Sequence, residues 1–477
     1  MLFNSLGYIF AFLPAVLLGW WVLARFGRRR ALVWLTLASL FFYAWWDWRY
    51  LALLGGSIVF NYGAAHFIHA AGRRRKLLLG LAIAVDLGVL GWFKYADFLL
   101  QTLAALLGRH WAPIGVPLPL GISFFTFTQI AFLVDTARGK AREADPVNYA
   151  LFVTFFPHLL AGPVLHHSEM MPQFADPSAG KPKDDMVSSG LSLFIIGLFK
   201  KTVLADGIAP VAMLVFDAAA RGTLPGVAEA WAAALAYTFE LYFDFSGYTD
   251  MALGSARIFG IVLPLNFDSP YQATSIIDFW RRWHMTLSRF LRDYLYIPLG
   301  GNRHGTLRRH VNLALTMLLG GLWHGAAWTF VAWGAWHGAL LVLNHLWRAV
   351  VGRLGLGAIV TAAPMRLLGW ALTFFLVMLG WVLFRSEGFD TAGRMLSAMA
   401  GTPGGFAAFT PGTEIWVELA ALGAIAALAP NSQTIVLSGA GWWRWRPNPF
   451  WALALALGFL LALGQMSDVS PFLYYRF

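Results

Sequence analysis

Long apolar runs separated by short polar or basic stretches dominate the chain. They cover residues 6–24, 31–46, 51–69, 77–95, 117–136, 187–204, 228–262, 311–348, 365–384, 415–430 and 449–465. These runs do not alternate as the strands of a membrane barrel do. Since a spanning helix needs about 20 apolar residues, the pattern predicts an all-α polytopic membrane protein with roughly ten to twelve embedded helices, some short or re-entrant. We expect one integral domain over residues 1–477, with its catalytic core at about 117–348.

Composition supports a membrane protein and excludes several other classes. The chain of 477 residues is 58% hydrophobic and only 12% charged, whereas soluble proteins carry about 25% charged residues. So few charges exclude a soluble enzyme, a disordered chain and a nucleic-acid-binding domain. The chain has no cysteine, so disulfides, cysteine nucleophiles and cysteine-ligated metals are excluded, and we predict no metal site.

The basic clusters predict the orientation in the membrane. Two apolar runs separate Arg25 and the Arg28–Arg30 cluster from the cluster at 73–76. Both clusters should therefore lie on one side, the cytoplasm by the positive-inside rule. This orientation places the N-terminus outside. MLFNSLGYIF lacks a basic start and a small-residue cleavage site, so we interpret it as the first span.

The stretch 275–299 predicts a basic amphipathic helix at the cytoplasmic interface. Ser275 and Asp278 have the spacing of a helix-capping pair, and His284 lies on the apolar face between Trp280 and Leu287. A histidine there is either a functional group or a core residue bonded to a backbone carbonyl, and this helix alone favours neither.

A second histidine lies in a glycine-rich apolar run. His324 is flanked by Gly321 and Gly325, and His337 repeats the W-H-G context 13 residues later. On a continuous helix the two imidazoles would point to roughly opposite sides. A buried neutral imidazole is a natural general base, although a purely structural role is an equally good interpretation of His324 alone and the better one for His337.

Other polar groups within apolar runs have simpler predicted roles. Asp250 and Arg257 are seven residues apart and are expected to form a buried ion pair, while Lys200 and Lys201 should extend to the interface. Residues 162–183 are predicted to form a polar loop, and 387–413 a surface loop with a short helix. Signatures of zinc proteases, serine hydrolases and P-loop ATPases are absent from the sequence.

Several long motifs resemble the membrane-bound O-acyltransferase family, in particular its bacterial branch that includes the alginate O-acetyltransferase membrane subunit. They are PLGISFFTFTQIAFLVD (119–135), FFPHLLAGPV (155–164), FDFSGYTDMALGSARIFG (243–260), NFDSPYQATSIIDFWRRWHMTLSRFLRDYLYIPLGGNR (266–303), LGGLWHGAAWTFVAWGAWHG (319–338) and the terminal SPFLYYRF. The resemblance covers nearly the whole chain. It implies a ring of tilted helices around a tunnel from a cytosolic donor funnel to an extracytoplasmic acceptor mouth.

The resemblance also implies a reaction and its residues. The family's essential histidine maps onto His324, and its second polar position maps onto His284. Acetyl-CoA or a related donor would supply the acyl group, with no bound cofactor. A periplasmic partner acyltransferase would receive it and modify a polysaccharide such as alginate.

Further residues are expected to contact substrate. Those near the histidines or the cytosolic mouth are Trp323, Trp280, Arg281, Arg282, Asp250 and His337. Arg281, Arg282, Arg289, Arg292 and Arg303 would attract CoA phosphates, although positive-inside marking explains them equally well. Peptidoglycan, cellulose and teichoic acid remain alternative acceptors. A non-enzymatic role in polysaccharide export or assembly is the alternative to an enzyme.

Overall fold

The computed structural model describes residues 1–160, 162–405, 409–438, 443–466, 470 and 472–473, and these residues form helices and no strand. The helices are α1 Leu13–Ala24, α2 Arg28–Ala44, α3 Leu51–Ala70, α4 Arg75–Leu90, α5 Ala96–Leu106, α6 Ile122–Ala137, α7 Pro146–Thr154, α8 Phe156–Leu159, α9 His167–Ala175, α10 Asp184–Phe199, α11 Asp206–Ala220, α12 Val227–Ile258, α13 Ile276–Arg282, α14 Met285–Leu291, α15 Gly305–His324, α16 Trp328–Arg353, α17 Gly357–Thr361, α18 Ala363–Arg385, α19 Phe389–Met399, α20 Thr413–Leu428 and α21 Pro449–Gly464. The predicted all-α fold is confirmed.

Within the described part of the chain, four helical segments are long and apolar enough to cross a membrane. They are Trp48–Ala70, Gly72–Leu106, Asp184–Ala220 and Ala363–Arg385. Shorter apolar helices cover Tyr8–Ala24, Ile122–Ala137 and Pro449–Gly464. Large apolar side chains such as Val59, Phe67 and Phe450 are each 72% exposed. Such an exposed apolar surface is stable against lipid hydrocarbon.

The central helix α12 is almost wholly buried and packs against α10. Gly197 of α10 lies directly against the backbone of Gly247 in α12, where a Cβ atom on either residue would overlap the other chain segment. Small residues allow this close approach of helices in membranes. Neighbouring helices, and not lipid, therefore surround α12.

Turns of π-helix join several of the helices into longer segments. Gly91–Tyr95 joins α4 to α5, and Lys200–Ala205 joins α10 to α11. A π-turn inserts an extra residue into a helix and often marks a functional position. Lys94, Lys200 and Lys201 all lie on these two turns, so these three lysines coincide with local irregularities of the helices.

The structure contradicts two predicted roles for charged residues. Lys200 and Lys201 do not extend to the interface: their ammonium groups lie 2.8 Å from Asp250 and 2.6 Å from Asp244. Asp250 therefore does not pair with Arg257, which donates to the Ser189 hydroxyl instead. A charge in a low-dielectric interior needs a compensating partner, and α10 brings the lysines to α12.

The predicted loops differ from the structure in part. The polar stretch 162–183 contains α9, which the sequence analysis missed because proline and polar residues interrupt its apolar pattern. The short helix expected within 387–413 is confirmed as α19. The predicted helix over 275–299 is broken into α13 and α14, and the run 311–348 into α15 and α16.

Replacing Lys200 by methionine should destabilise the protein by about 3–5 kcal/mol, because the carboxylate of Asp250 would remain buried without its countercharge. Thermal unfolding of the purified protein in detergent would measure the loss. Arg292→Gln, which removes an exposed ion pair with Asp293, is the control and should change the melting temperature little. An equal effect of both variants would contradict a special role of the buried pair.

Candidate active site

Two histidines that are far apart in sequence meet inside the helical bundle. The ring centroids of His284 and His324 are 6.5 Å apart, and the residues are 0% and 3% exposed. Trp323 contacts both imidazoles, at centroid distances of 6.1 and 4.9 Å. The two positions singled out in the sequence therefore belong to one buried site.

The end of α15 presents His324. The helix stops at this residue, Gly325 is extended, and α16 begins at Trp328. Gly321 lies against the backbone of α16, and a Cβ atom there would overlap Phe330 and Gly334. Close packing of α15 and α16 thus stabilises the break between the two helices, and His324 lies next to this break.

This interruption overturns the expectation that His324 and His337 point in opposite directions. The expectation assumed one continuous helix, but both rings contact Trp333, at 5.0 and 4.8 Å between centroids. His337 accepts a hydrogen bond from the indole of Trp280 at 3.3 Å and is fully buried. We therefore assign His337 and Trp280 to the packing behind the site.

His284 has a strained backbone. Its φ of 44° and ψ of 53° are left-handed, and among the described residues only Ser269 is another non-glycine residue with positive φ. Such a conformation costs about 1–3 kcal/mol and is concentrated at functional sites. The strain occurs where α13 ends and α14 begins, so it aims the imidazole into the bundle.

Asn266 fixes the orientation and tautomer of His284. The Asn266 side-chain carbonyl lies 3.0 Å from His284 Nδ1 and also accepts from the Thr286 hydroxyl at 2.8 Å. Because this oxygen is an acceptor, Nδ1 carries the hydrogen, and Nε2 of the neutral ring bears the lone pair. The imidazole thus bonds to a side-chain carbonyl, and not to the backbone carbonyl of the structural interpretation.

His324 borders a small cavity of about 90 Å³. The cavity is lined by Trp46, Lys94, Leu118, Pro119, Leu120, Gly121, Ile122, Ser123, Phe124, Leu160, Trp323 and His324. Lys94 donates to the backbone carbonyls of Trp323 at 2.5 Å and His324 at 3.3 Å. Its ammonium therefore lies at the C-terminal end of α15, next to the histidine.

A larger polar cavity of about 590 Å³ lies near the C-terminal end of α6. Its lining includes the basic and titratable residues Asp135, Arg138, Lys140, His166, His167, Asp293 and Tyr294. Tyr294 donates to Asp135 at 2.7 Å. The cavity can accommodate a polar, charged ligand, unlike the mostly apolar space at His324.

A column of aromatic rings separates the two cavities. Tyr294 contacts Phe290 at 5.0 Å, Phe290 stacks on Phe127 at 4.4 Å, and Phe127 stacks on Trp323 at 5.6 Å between centroids. Tyr294 lines the polar cavity and Trp323 the small one. Side chains therefore close the path that the resemblance implied between these two cavities.

The other predicted substrate contacts have different surroundings. Asp250 is enclosed by Lys200, Ser432 and Gln433, so its carboxylate serves the buried ion pair. Arg282 pairs with Asp278, Arg289 with Glu169 and Arg292 with Asp293. Arg281 and Arg303 are exposed. Arg292 is exposed as well, whereas Arg282 and Arg289 are partly buried in their ion pairs. The binding of phosphate by these arginines stays a prediction.

Sequence reasoning missed two residues of the site. Lys94 is one of only two charged residues in the apolar run 77–95, the other being Asp86, and a charge in such a run was a usable signal. Asn266 lies in the predicted loop NFDSPY, and nothing in that context indicates that its side chain orients His284.

The fold and the site together define a membrane-embedded helical protein that brings two buried histidines close to each other. The chain matches the family model of the membrane-bound O-acyltransferase family, MBOAT, over residues 78–386. The protein belongs to this family and is an acyltransferase.

The relatives are bacterial enzymes of the cell envelope. The chain is 45% identical to the "Peptidoglycan O-acetyltransferase" of Helicobacter pylori, over 85% of this chain and 80% of the relative. It is 44% identical to the "Probable alginate O-acetylase AlgI" of Pseudomonas aeruginosa, over 84% and 75%. It is 29% identical to the "Teichoic acid D-alanyltransferase" of Streptococcus thermophilus, over 56% and 68%.

We predict that Asn266→Ala lowers the acyltransferase rate by about 10²-fold, since a misplacement of about 1 Å can have that effect. The variant removes the acceptor that orients His284. Acyl groups incorporated into envelope polymers measure the rate. Asn431→Ala, which removes side-chain hydrogen bonds to Asp268, Ser269 and the Thr434 amide away from the histidines, is the control. A fully active Asn266→Ala would show that His284 needs no fixed orientation.

Proposed function

We propose that this protein transfers acetyl groups from cytosolic acetyl-CoA across the membrane to a periplasmic partner protein or directly to an exopolysaccharide hydroxyl. The observation that carries the proposal is the meeting of His324 and His284 between a polar cavity and a small apolar one. The names of the relatives support acetyl as the acyl group and an envelope polysaccharide as the final acceptor.

The polar cavity supports a cytosolic entrance for the donor. Arg28 of the first basic cluster donates to Ala175 in α9, and Arg75 of the second donates to Ala137 in α6 at 3.4 Å. Both helices contribute to or adjoin the cavity. The positive-inside rule therefore assigns this end to the cytosol of a bacterial inner membrane and puts the N-terminus in the periplasm.

Charge complementarity supports CoA as the donor. Arg138 and Lys140 line the cavity and can pair with the phosphates of CoA. The narrow pantetheine arm would enter between the rings of the aromatic column and bring the thioester to His324. No cofactor is needed for this transfer, because CoA arrives and leaves as a substrate.

His324 is the proposed general base. The acceptor hydroxyl attacks the acetyl carbonyl carbon while its proton moves to the imidazole. The tetrahedral intermediate then collapses, the carbon–sulfur bond breaks, and the leaving thiolate takes that proton. Base catalysis of this kind contributes about 10²–10⁴-fold. His284 lies across from His324 and orients the reacting groups.

The names of the relatives provide the support for a particular acceptor. The relatives with 44–45% identity are named for alginate and peptidoglycan, whereas the teichoic acid relative is more distant. We therefore favour acetyl transfer to an alginate-like polysaccharide, with peptidoglycan as the second candidate. Reaction inside the membrane would let the acetyl group cross while CoA stays in the cytosol.

His324→Ala should abolish polymer acetylation because the base is lost, while the protein level and the detergent elution profile stay unchanged. His284→Ala should lose much of the activity. Base-labile acetate on envelope polymers provides the measurement. His345→Gln, a half-buried histidine near the end of α16, is the control. Near-wild-type acetylation by His324→Ala would exclude it as the base.

The sidedness of the reaction can be tested with membrane vesicles. Labelled acetyl-CoA added to inside-out vesicles should acetylate the enclosed acceptor, since the polar cavity then faces the medium. Right-side-out vesicles should remain inactive until they are permeabilised. Equal labelling of both intact preparations would contradict a cytosolic donor site.

A further inference from the structure

Lys94 differs from the other lysines buried within the apolar segments. It lies on the π-turn between α4 and α5, within the 35-residue apolar segment Gly72–Leu106. Lys200 and Lys201 each contact a buried aspartate. No carboxylate of the described residues lies within ion-pair distance of the Lys94 ammonium. Its contacts are instead two backbone carbonyls and the ring of Trp323, whose centroid is 5.8 Å away.

The carbonyl groups at the end of α15 do not require a charged donor. Tyr95, its neighbour, already donates to the Leu322 carbonyl at 2.9 Å, so a neutral donor serves the same helix end. A charge within a membrane segment is costly and usually marks a functional position. A cation without a carboxylate partner, next to a histidine in a cavity, is suited to a ligand on which negative charge develops.

The donors of Lys94 leave one position for such a ligand. An ammonium group has three N–H donors, and two of them are accounted for by the carbonyls of Trp323 and His324. The residue also lines the cavity that His324 borders. An acyl group in that cavity would lie beside both the base and the cation.

We propose that Lys94 is a further catalytic residue, whose ammonium donates a hydrogen bond to the acyl carbonyl oxygen and stabilises the oxyanion. The inference rests on the proposed base role of His324. As the acceptor oxygen bonds to the carbonyl carbon, its proton passes to His324 and the carbonyl π electrons move onto the oxygen beside Lys94. When the carbonyl re-forms, the leaving group departs with the electron pair of its broken bond and takes the proton from His324.

Substitutions at Lys94 separate this role from simple helix capping. Lys94→Gln keeps hydrogen-bond donors for the carbonyls but removes the charge, Lys94→Met removes both, and Lys94→Arg keeps the charge. Removing one oxyanion donor lowers kcat by about 10²–10³-fold. We expect this loss of kcat for both Gln and Met, with KM for acetyl-CoA unchanged, and a smaller loss for Arg. Lys94→Met leaves the two carbonyls without their donor and should also melt at a lower temperature than Lys94→Gln.

Tyr95→Phe is the matched control, because it removes a hydrogen bond to the same helix end without removing a charge. It should retain near-wild-type kcat. The proposal is overturned if Lys94→Gln is as active as wild type, if Gln is much more active than Met, or if Tyr95→Phe loses as much as Lys94→Gln. Activity that only follows the melting temperature across the series would likewise assign Lys94 to capping.

A second readout separates this inference from the choice of donor. Base-labile acetate on envelope polymers is measured in cells that carry each variant, without any added donor. If vesicles fail to use acetyl-CoA but the cells still show the loss at Lys94, the donor assignment is wrong and the role of Lys94 stands. If vesicles use acetyl-CoA and Lys94→Gln is fully active in both assays, only the role of Lys94 is wrong.

Discussion

Interrupted helices inside an apolar bundle are the constraint on which this structure depends. A helix that ends within a membrane leaves carbonyl groups that must be satisfied by other parts of the protein. At the end of α15, the side chains of Lys94 and Tyr95 satisfy them. At the start of α14, the left-handed His284 is held by Asn266. The same interruptions that need these partners bring the two imidazoles together.

The scaffold around the site compensates for each charge that it buries. α10 and α12 approach closely through glycines, and the lysines at the end of α10 neutralise the aspartates of α12. All four residues of these pairs are buried, so water cannot replace a lost partner, and the loss of one residue destabilises the protein. The ion pairs thus make the helices around the histidine site rigid.

Much of the architecture was predictable because apolar length is a strong signal. The run 51–69 corresponds to α3, Leu51–Ala70, and His324 of the W-H-G motif lies near His284 in the bundle. The break at His284 was not predictable, since the apolar spacing of Phe279, Trp283 and Leu287 continues through it. Asn266, which fixes that histidine, comes from a loop. Lys200 likewise looked interfacial, because only the folded chain shows its contact with Asp250.

The aromatic column between Tyr294 and Trp323 has a consequence for the energetics of the cell. An open passage of this kind would let protons and ions leak, and a charge is worth about 2.3 kcal/mol per 100 mV of membrane potential. The stacked aromatic rings close the space between the two cavities. In the proposed inner membrane, this closed column would let the resting enzyme hold back the ions whose gradient drives transport and ATP synthesis.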